Sequence, residues 1–83
     1  MNDAERIKEQ IAALDAPTAI NGVDVEFGTD ESGDPAVWIY LHVADDESRS
    51  YIAELARFAR TVESAILASN DGQRWPYVHF LHP

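Results

Sequence analysis

Apolar residues along the chain follow two different periods, and the places where one gives way to the other predict the elements. In NDAERIKEQIAALDA (2–16), Ala4, Ile7, Ile11 and Leu14 recur at three- and four-residue steps. That spacing predicts a first helix with one narrow apolar stripe, Asn2 as its N-cap and Glu5 three residues later. Pro17 cannot continue the helix, because it lacks an amide hydrogen and its ring clashes with the preceding turn. PTAING (17–22) is therefore a connector. The period then drops to two: Val23, Val25 and Phe27 alternate with Asp24 and Glu26, as in a half-buried strand. GTDESGDP (28–35), with two glycines, a proline and three acids, is a hairpin loop longer than the tight two-residue kind. AVWIYLHV (36–43) is the second strand.

ADDES (44–48) gathers acids where a helix N-terminus favours them. Tyr51, Ile52, Leu55, Phe58, Ala59, Val62, Ala65 and Ile66 then recur at helical steps through SRSYIAELARFARTVESAILAS (48–69), a broad stripe for a long helix. Asn70, Asp71 and Gly72 stop it, and PYVHFL (76–81) is the last strand. Helix, strand, strand, helix, strand predicts one α+β domain over residues 1–83: a three-stranded mixed sheet with both helices on one face. Strand two, the most continuously apolar, belongs at the centre, with strand three parallel to it.

Alternation sorts the sheet. Val23, Val25, Phe27, Val37, Ile39, Leu41, Val43, Val78 and Phe80 point toward the helices. Asp24, Glu26, Trp38, Tyr40, His42, Tyr77, His79 and Leu81 point away. Two helices of this length cover only one face of a sheet. An open face rich in aromatic residues marks an interaction surface, although cross-strand pairs such as Trp38 with Tyr77 also stabilise the sheet itself, by roughly 0.2–1 kcal/mol each.

Charge sharpens this picture. Fifteen Asp and Glu against six Lys and Arg give a net charge of −9. Such a chain repels phosphate backbones, so nucleic acid is an unfavourable ligand, and it associates readily with a basic partner. There is no cysteine, hence no disulfide framework and no thiolate metal site. The chain opens MNDAERIKEQ, without an apolar signal region, and contains no run approaching the roughly 20 apolar residues of a membrane helix. The expected setting is the cytoplasm, with no membrane partner.

Motifs of catalysis are missing. Asp30, Ser32 and Asp34 alternate like calcium ligands, but a loop of that type begun at Asp30 needs glycine sixth and glutamate twelfth, where Pro35 and Leu41 stand. His42, His79 and His82, with Asp45 nearby, lack the tight spacing of a zinc site, but on adjacent parallel strands His42 and His79 could come within metal-ligand range, which leaves a histidine-based metal-binding protein as an alternative. Serines 32, 48, 50, 64 and 69 form no nucleophile elbow, and Ser48 and Ser50 suit helix capping. The loop acids have nothing apolar beside them to shift a pKa, and the four glycines make no phosphate-binding pattern. Arg57 and Arg60 suit exposed pairs with Glu54 and Glu63, and Trp75-Pro76 is expected to fix the start of the last strand and pack against an edge.

The succession VWIYLHVADDES, a long helix containing ELARFARTVESAI, then RWPYVHF resembles the layout of ribosome-binding factor A, a KH-like domain. The resemblance implies a KH-like α+β fold and an RNA-facing groove opened by a helical kink at an alanine and a glycine. This chain has no glycine between Gly33 and Gly72 and no basic surface, so no residue here inherits that role. The expectation is a small acidic binding protein, not an enzyme and without cofactor. It works by homodimerisation or on a basic protein partner, in the manner of an antitoxin, an immunity protein or a regulatory subunit. Trp38, Tyr40, Tyr77 and Leu81 are its anchors, His42 and His79 its polar contacts, Asp24 and Glu26 its acidic rim.

Overall fold

Five elements form where the two periods place them: α1 (Asp3–Ala12), β1 (Ile20–Thr29), β2 (Pro35–Val43), α2 (Ile52–Ser69) and β3 (Trp75–Leu81). The computed structural model describes residues 3–44, 52–69 and 74–82. The expected cap at Asn2, the acids and serines of 45–50, Tyr51 of the long helix's apolar stripe and the stop at 70–72 lie outside the described residues.

α1 ends earlier than its apolar stripe. The amide of Leu14 bonds the carbonyl of Ile11 at 3.0 Å, a tightened turn that unwinds the helix ahead of Pro17. β1 is longer than its own alternation, because pairing with β2 runs from Ile20 opposite Val43 to Thr29 opposite Pro35, with one irregularity between Ile20 and Gly22. The amide of Ala44 extends the ladder to the carbonyl of Ala19 at 2.7 Å.

The strand order is β1-β2-β3, with β1 antiparallel and β3 parallel to the central β2. Pro76, which has no amide hydrogen, is tolerated because β3 lies at an edge. α1 packs over β1 and α2 over β3, on the same side of the sheet. Val37, Ile39 and Leu41 of β2 are wholly withdrawn from solvent and meet Ile7 and Ile11 of α1 and Phe58, Val62 and Ile66 of α2. Val23, Val25, Phe27, Val78 and Phe80 flank this core, half-buried. The helices are also tied to each other through Gln10, whose side-chain amide donates to the carbonyl of Ala65 at 3.1 Å and accepts from the Ser69 hydroxyl at 3.2 Å.

Two helical expectations are corrected. Ile52 is not a core residue but is 62% exposed. At 100° per residue it falls about 75° from the centre of the stripe formed by Leu55, Phe58, Val62 and Ile66. Among the described residues no ion pair joins Glu54 to Arg57 or Arg60 to Glu63; the i,i+3 pair that forms is Asp3–Arg6 in α1, at 3.1 Å. No described helix is long and apolar enough to cross a membrane.

Ile39 and Ile52 provide matched tests of this packing. Ile39→Ala is expected to cost about 2–5 kcal/mol in urea unfolding, and Ile52→Ala less than about 0.5 kcal/mol.

Candidate functional site

Register arranges the face opposite the helices into ranks running from β1 through β2 to β3. They are Gly28–Ala36–Trp75, Glu26–Trp38–Tyr77, Asp24–Tyr40–His79 and Gly22–His42–Leu81. Carboxylates stand on β1, rings fill the centre, and rings with one leucine stand on β3. None of the three strands contains a lysine or arginine. Trp38 stacks on Tyr77 with centroids 5.8 Å apart and planes 19° from parallel, and Tyr40 stacks on His79 at 5.8 Å and 24°. Such stacks contribute roughly 0.5–1.5 kcal/mol beyond buried area.

Toward β1 the side chains of β2 lean diagonally, each to the residue one rank beyond its own partner. His42 lies opposite Gly22 but donates from Nε2 to Asp24 Oδ2 at 2.6 Å. Tyr40 lies opposite Asp24 but its hydroxyl donates to Glu26 Oε2 at 3.4 Å, a long bond. Trp38 lies opposite Glu26, yet its ring covers Gly28, where an added Cβ would stand 2.9 Å from Cζ3. The right-handed twist between neighbouring strands brings such diagonal partners within reach of long side chains. Gly28 is thus a notch in β1 that seats the indole. Ala36, in the rank of Gly28 and Trp75, is completely buried although it faces away from the helices. Trp38, Tyr77 and Trp75 are the large neighbours placed to cover it.

The hairpin loop closes the same end of the face. Asp30 Oδ1 accepts from the amides of Ser32 and Asp34 at 2.9 and 3.1 Å, and Oδ2 accepts from the Tyr77 hydroxyl at 3.0 Å. Gly33 turns the loop with φ of 82°. One carboxylate therefore folds the loop and anchors a ring of β3. The amide of Asp34, the Tyr77 hydroxyl and the amide of Ser32 hold the Asp30 carboxyl below the ordinary range against the opposing effect of burial. The hydrogen bond to Asp30 raises the Tyr77 phenol, helped by burial and by the charges of Asp30, Asp34 and Glu31. The bond from His42 lowers Asp24, and burial with the Glu26 charge raises Tyr40.

All eight residues expected on the open face occupy these ranks. The register sets His79 beside Tyr40 and His42 beside Leu81, so the two histidines are not paired. Asp45 lies outside the described residues, and no group of metal-binding side chains occurs among those described. Trp75 is corrected: it does not pack away at an edge but opens β3 on the open face, 50% exposed. Strand alternation assigns neither Gly28 nor Asp30 to this face. The turn chemistry around Asp30 signalled a loop, but the carboxylate's reach to Tyr77 depends on placing β3, and the glycine notch depends on register. Compared with protein-family models, curated proteins and solved structures, the chain matches none.

Gly28→Ala should force the indole from its seat and destabilise the protein by about 1–3 kcal/mol. In a Trp38→Leu background the same change should cost little, a coupling measurable by a double-mutant cycle in urea. A second test follows from Asp30. Its carboxyl titrates lower in the folded protein than in the unfolded chain, so the folded state holds fewer protons. The stability it contributes is present above the ordinary carboxylate pKa, about 4, and is lost as pH falls through the lower folded value. Asp30→Asn should flatten the acid limb of unfolding free energy against pH, and should let the Tyr77 tyrosinate form at lower pH in ultraviolet titration.

Proposed function

We propose that the protein is a cytoplasmic protein-interaction module, not an enzyme, whose open sheet face binds a basic partner. The carrying observation is the composition of that face: a central block of rings bordered by Asp24 and Glu26, with no lysine or arginine in any strand. The fixed basic groups of the described chain sit on the helices or, as Arg74, beside the core-side residue Phe27, 4.4 Å above its ring. A basic surface gains contact with the rings at the centre and charge complementarity at the rim, which speeds association and fixes register. Anchors of this type, aromatic and clustered near the centre of a patch, carry most of the affinity where they are buried by a partner.

Self-association through the same face would press together two surfaces that lack cations, each on a chain of net charge −9, and Coulomb repulsion opposes it. RNA meets the same obstacle with its phosphates, so the RNA-facing role implied by the KH-like resemblance has less support than a basic protein.

Trp38→Ala combined with Tyr40→Ser, checked for folding by circular dichroism, tests the reading. Wild type immobilised at low salt is expected to retain basic proteins from its native host that the double variant loses and that salt releases. Light scattering should show a monomer. Retention of the same proteins by the folded variant would refute the proposal, and a dimer dissociated by the two substitutions would reassign the face to self-association.

A further inference from the structure

Between the hairpin loop and the first ring pair lies a cavity of about 400 Å³ lined by Thr29, Asp30, Glu31, Ser32, Trp38 and Tyr77. We propose that it holds an arginine side chain of the basic partner, an assignment that rests on the interaction reading above. One side is formed by the rings of Trp38 and Tyr77, which stack on each other with planes 19° from parallel, and the other by the loop, with Asp30 and Glu31 in the lining and Asp34 close behind. A guanidinium is planar, weakly hydrated and permanently charged, so it stacks on a ring while its edge donates to a carboxylate. An ammonium is more strongly hydrated and offers no plane to stack.

The acceptors are set in advance. Asp30 takes three hydrogen bonds from Ser32, Asp34 and Tyr77, which fix its orientation and leave part of its acceptor capacity unused. For a metal ion to take both oxygens, the two amides that fill Oδ1 would have to be displaced. Three carboxylates act on the Tyr77 hydroxyl, so the potential in the cavity is negative. The ring of Trp38 is held over Gly28, and the hydroxyl of Tyr77 is held by Asp30. The aromatic walls therefore lose little freedom on binding.

The probe is acetyl-Gly-Arg-Gly-amide, titrated at low salt into isotopically labelled protein, with citrulline and lysine versions as controls. The arginine peptide is expected to give saturable shifts at the Trp38 indole and the amides of residues 29–32, with a dissociation constant on the order of millimolar. Citrulline should give none, lysine a markedly weaker response, and Glu31→Gln an affinity reduced by about two- to fivefold. Equal binding of lysine or citrulline overturns the assignment. So does a response spread evenly to Asp24 and Glu26, or no response at about 20 mM peptide. If the Trp38 and Tyr40 variant releases partners while the arginine peptide leaves Trp38 unmoved, the cavity assignment falls and the interaction reading stands. If that variant releases nothing, the interaction reading falls and takes the partner's arginine with it.

Discussion

Everything on the open face follows from the burial of alternate residues of β2. Val37, Ile39 and Leu41 are sealed beneath Ile7, Ile11, Phe58, Val62 and Ile66, and in a chain this short that contact is most of the available core. A one-residue slip of β2 would move these aliphatics to water and Trp38, Tyr40 and His42 into the helix layer. The cost of such a slip fixes the register, and the fixed register sets each ring beside its neighbour on β3 and each carboxylate within a diagonal reach on β1. The surface is therefore held in place by the core on its far side.

The same geometry explains how the domain tolerates so many rings in water. Trp38 and Tyr77 shield one another, Tyr40 and His79 do likewise, and Ala36 is closed off completely beneath its neighbours. Of the large apolar side chains of this face, Trp75 and Leu81 stay exposed, at the two ends of β3, and His79 is exposed between them. Polar tips are answered at the rim: the Tyr77 hydroxyl by Asp30, that of Tyr40 by Glu26, and the His42 ring by Asp24. The bonds of Tyr40 and His42 are solvent-exposed and individually contribute little, whereas that of Tyr77 is part-buried. Their effect is to orient rings that would otherwise sample several rotamers.

Much of this was legible in the sequence. Strict alternation in VDVEF and AVWIYLHV assigned both faces, and the apolar continuity of β2 placed it centrally with β3 parallel to it. Features that depend on the meeting of two elements were not legible. Trp75 joins the open face because the β2–β3 ladder begins at Ala36, one residue before the alternation of PYVHFL. Gly28 matters because strand twist carries the Trp38 ring one rank sideways. Asp30 carries the chemistry of a turn residue in the sequence, and only the position of β3 makes it the partner of a tyrosine 47 residues away. Ile52 carried the right spacing but the wrong angle, since a three-residue step drifts around the helix by about 60°.

Charge placement is the physical ground for the basic partner proposed for this ring-bearing face. A face designed only to stabilise its own sheet gains nothing from excluding every lysine and arginine, because opposite charges across strands stabilise as well as ring pairs do. Here the acids of β1, Asp24 and Glu26, lie opposite the rings of Tyr40 and Trp38 instead of bases, and the loop adds Asp30, Glu31 and Asp34 at the hairpin end. The cations of α1 and α2 lie on the other layer. This separation gives the molecule a negative aromatic side and a helical side on which all the lysines and arginines of the described elements reside. An uncharged partner would leave the rim carboxylates desolvated without compensation, and an acidic one would be repelled. A basic protein, the partner proposed above, would satisfy the rings and the rim together.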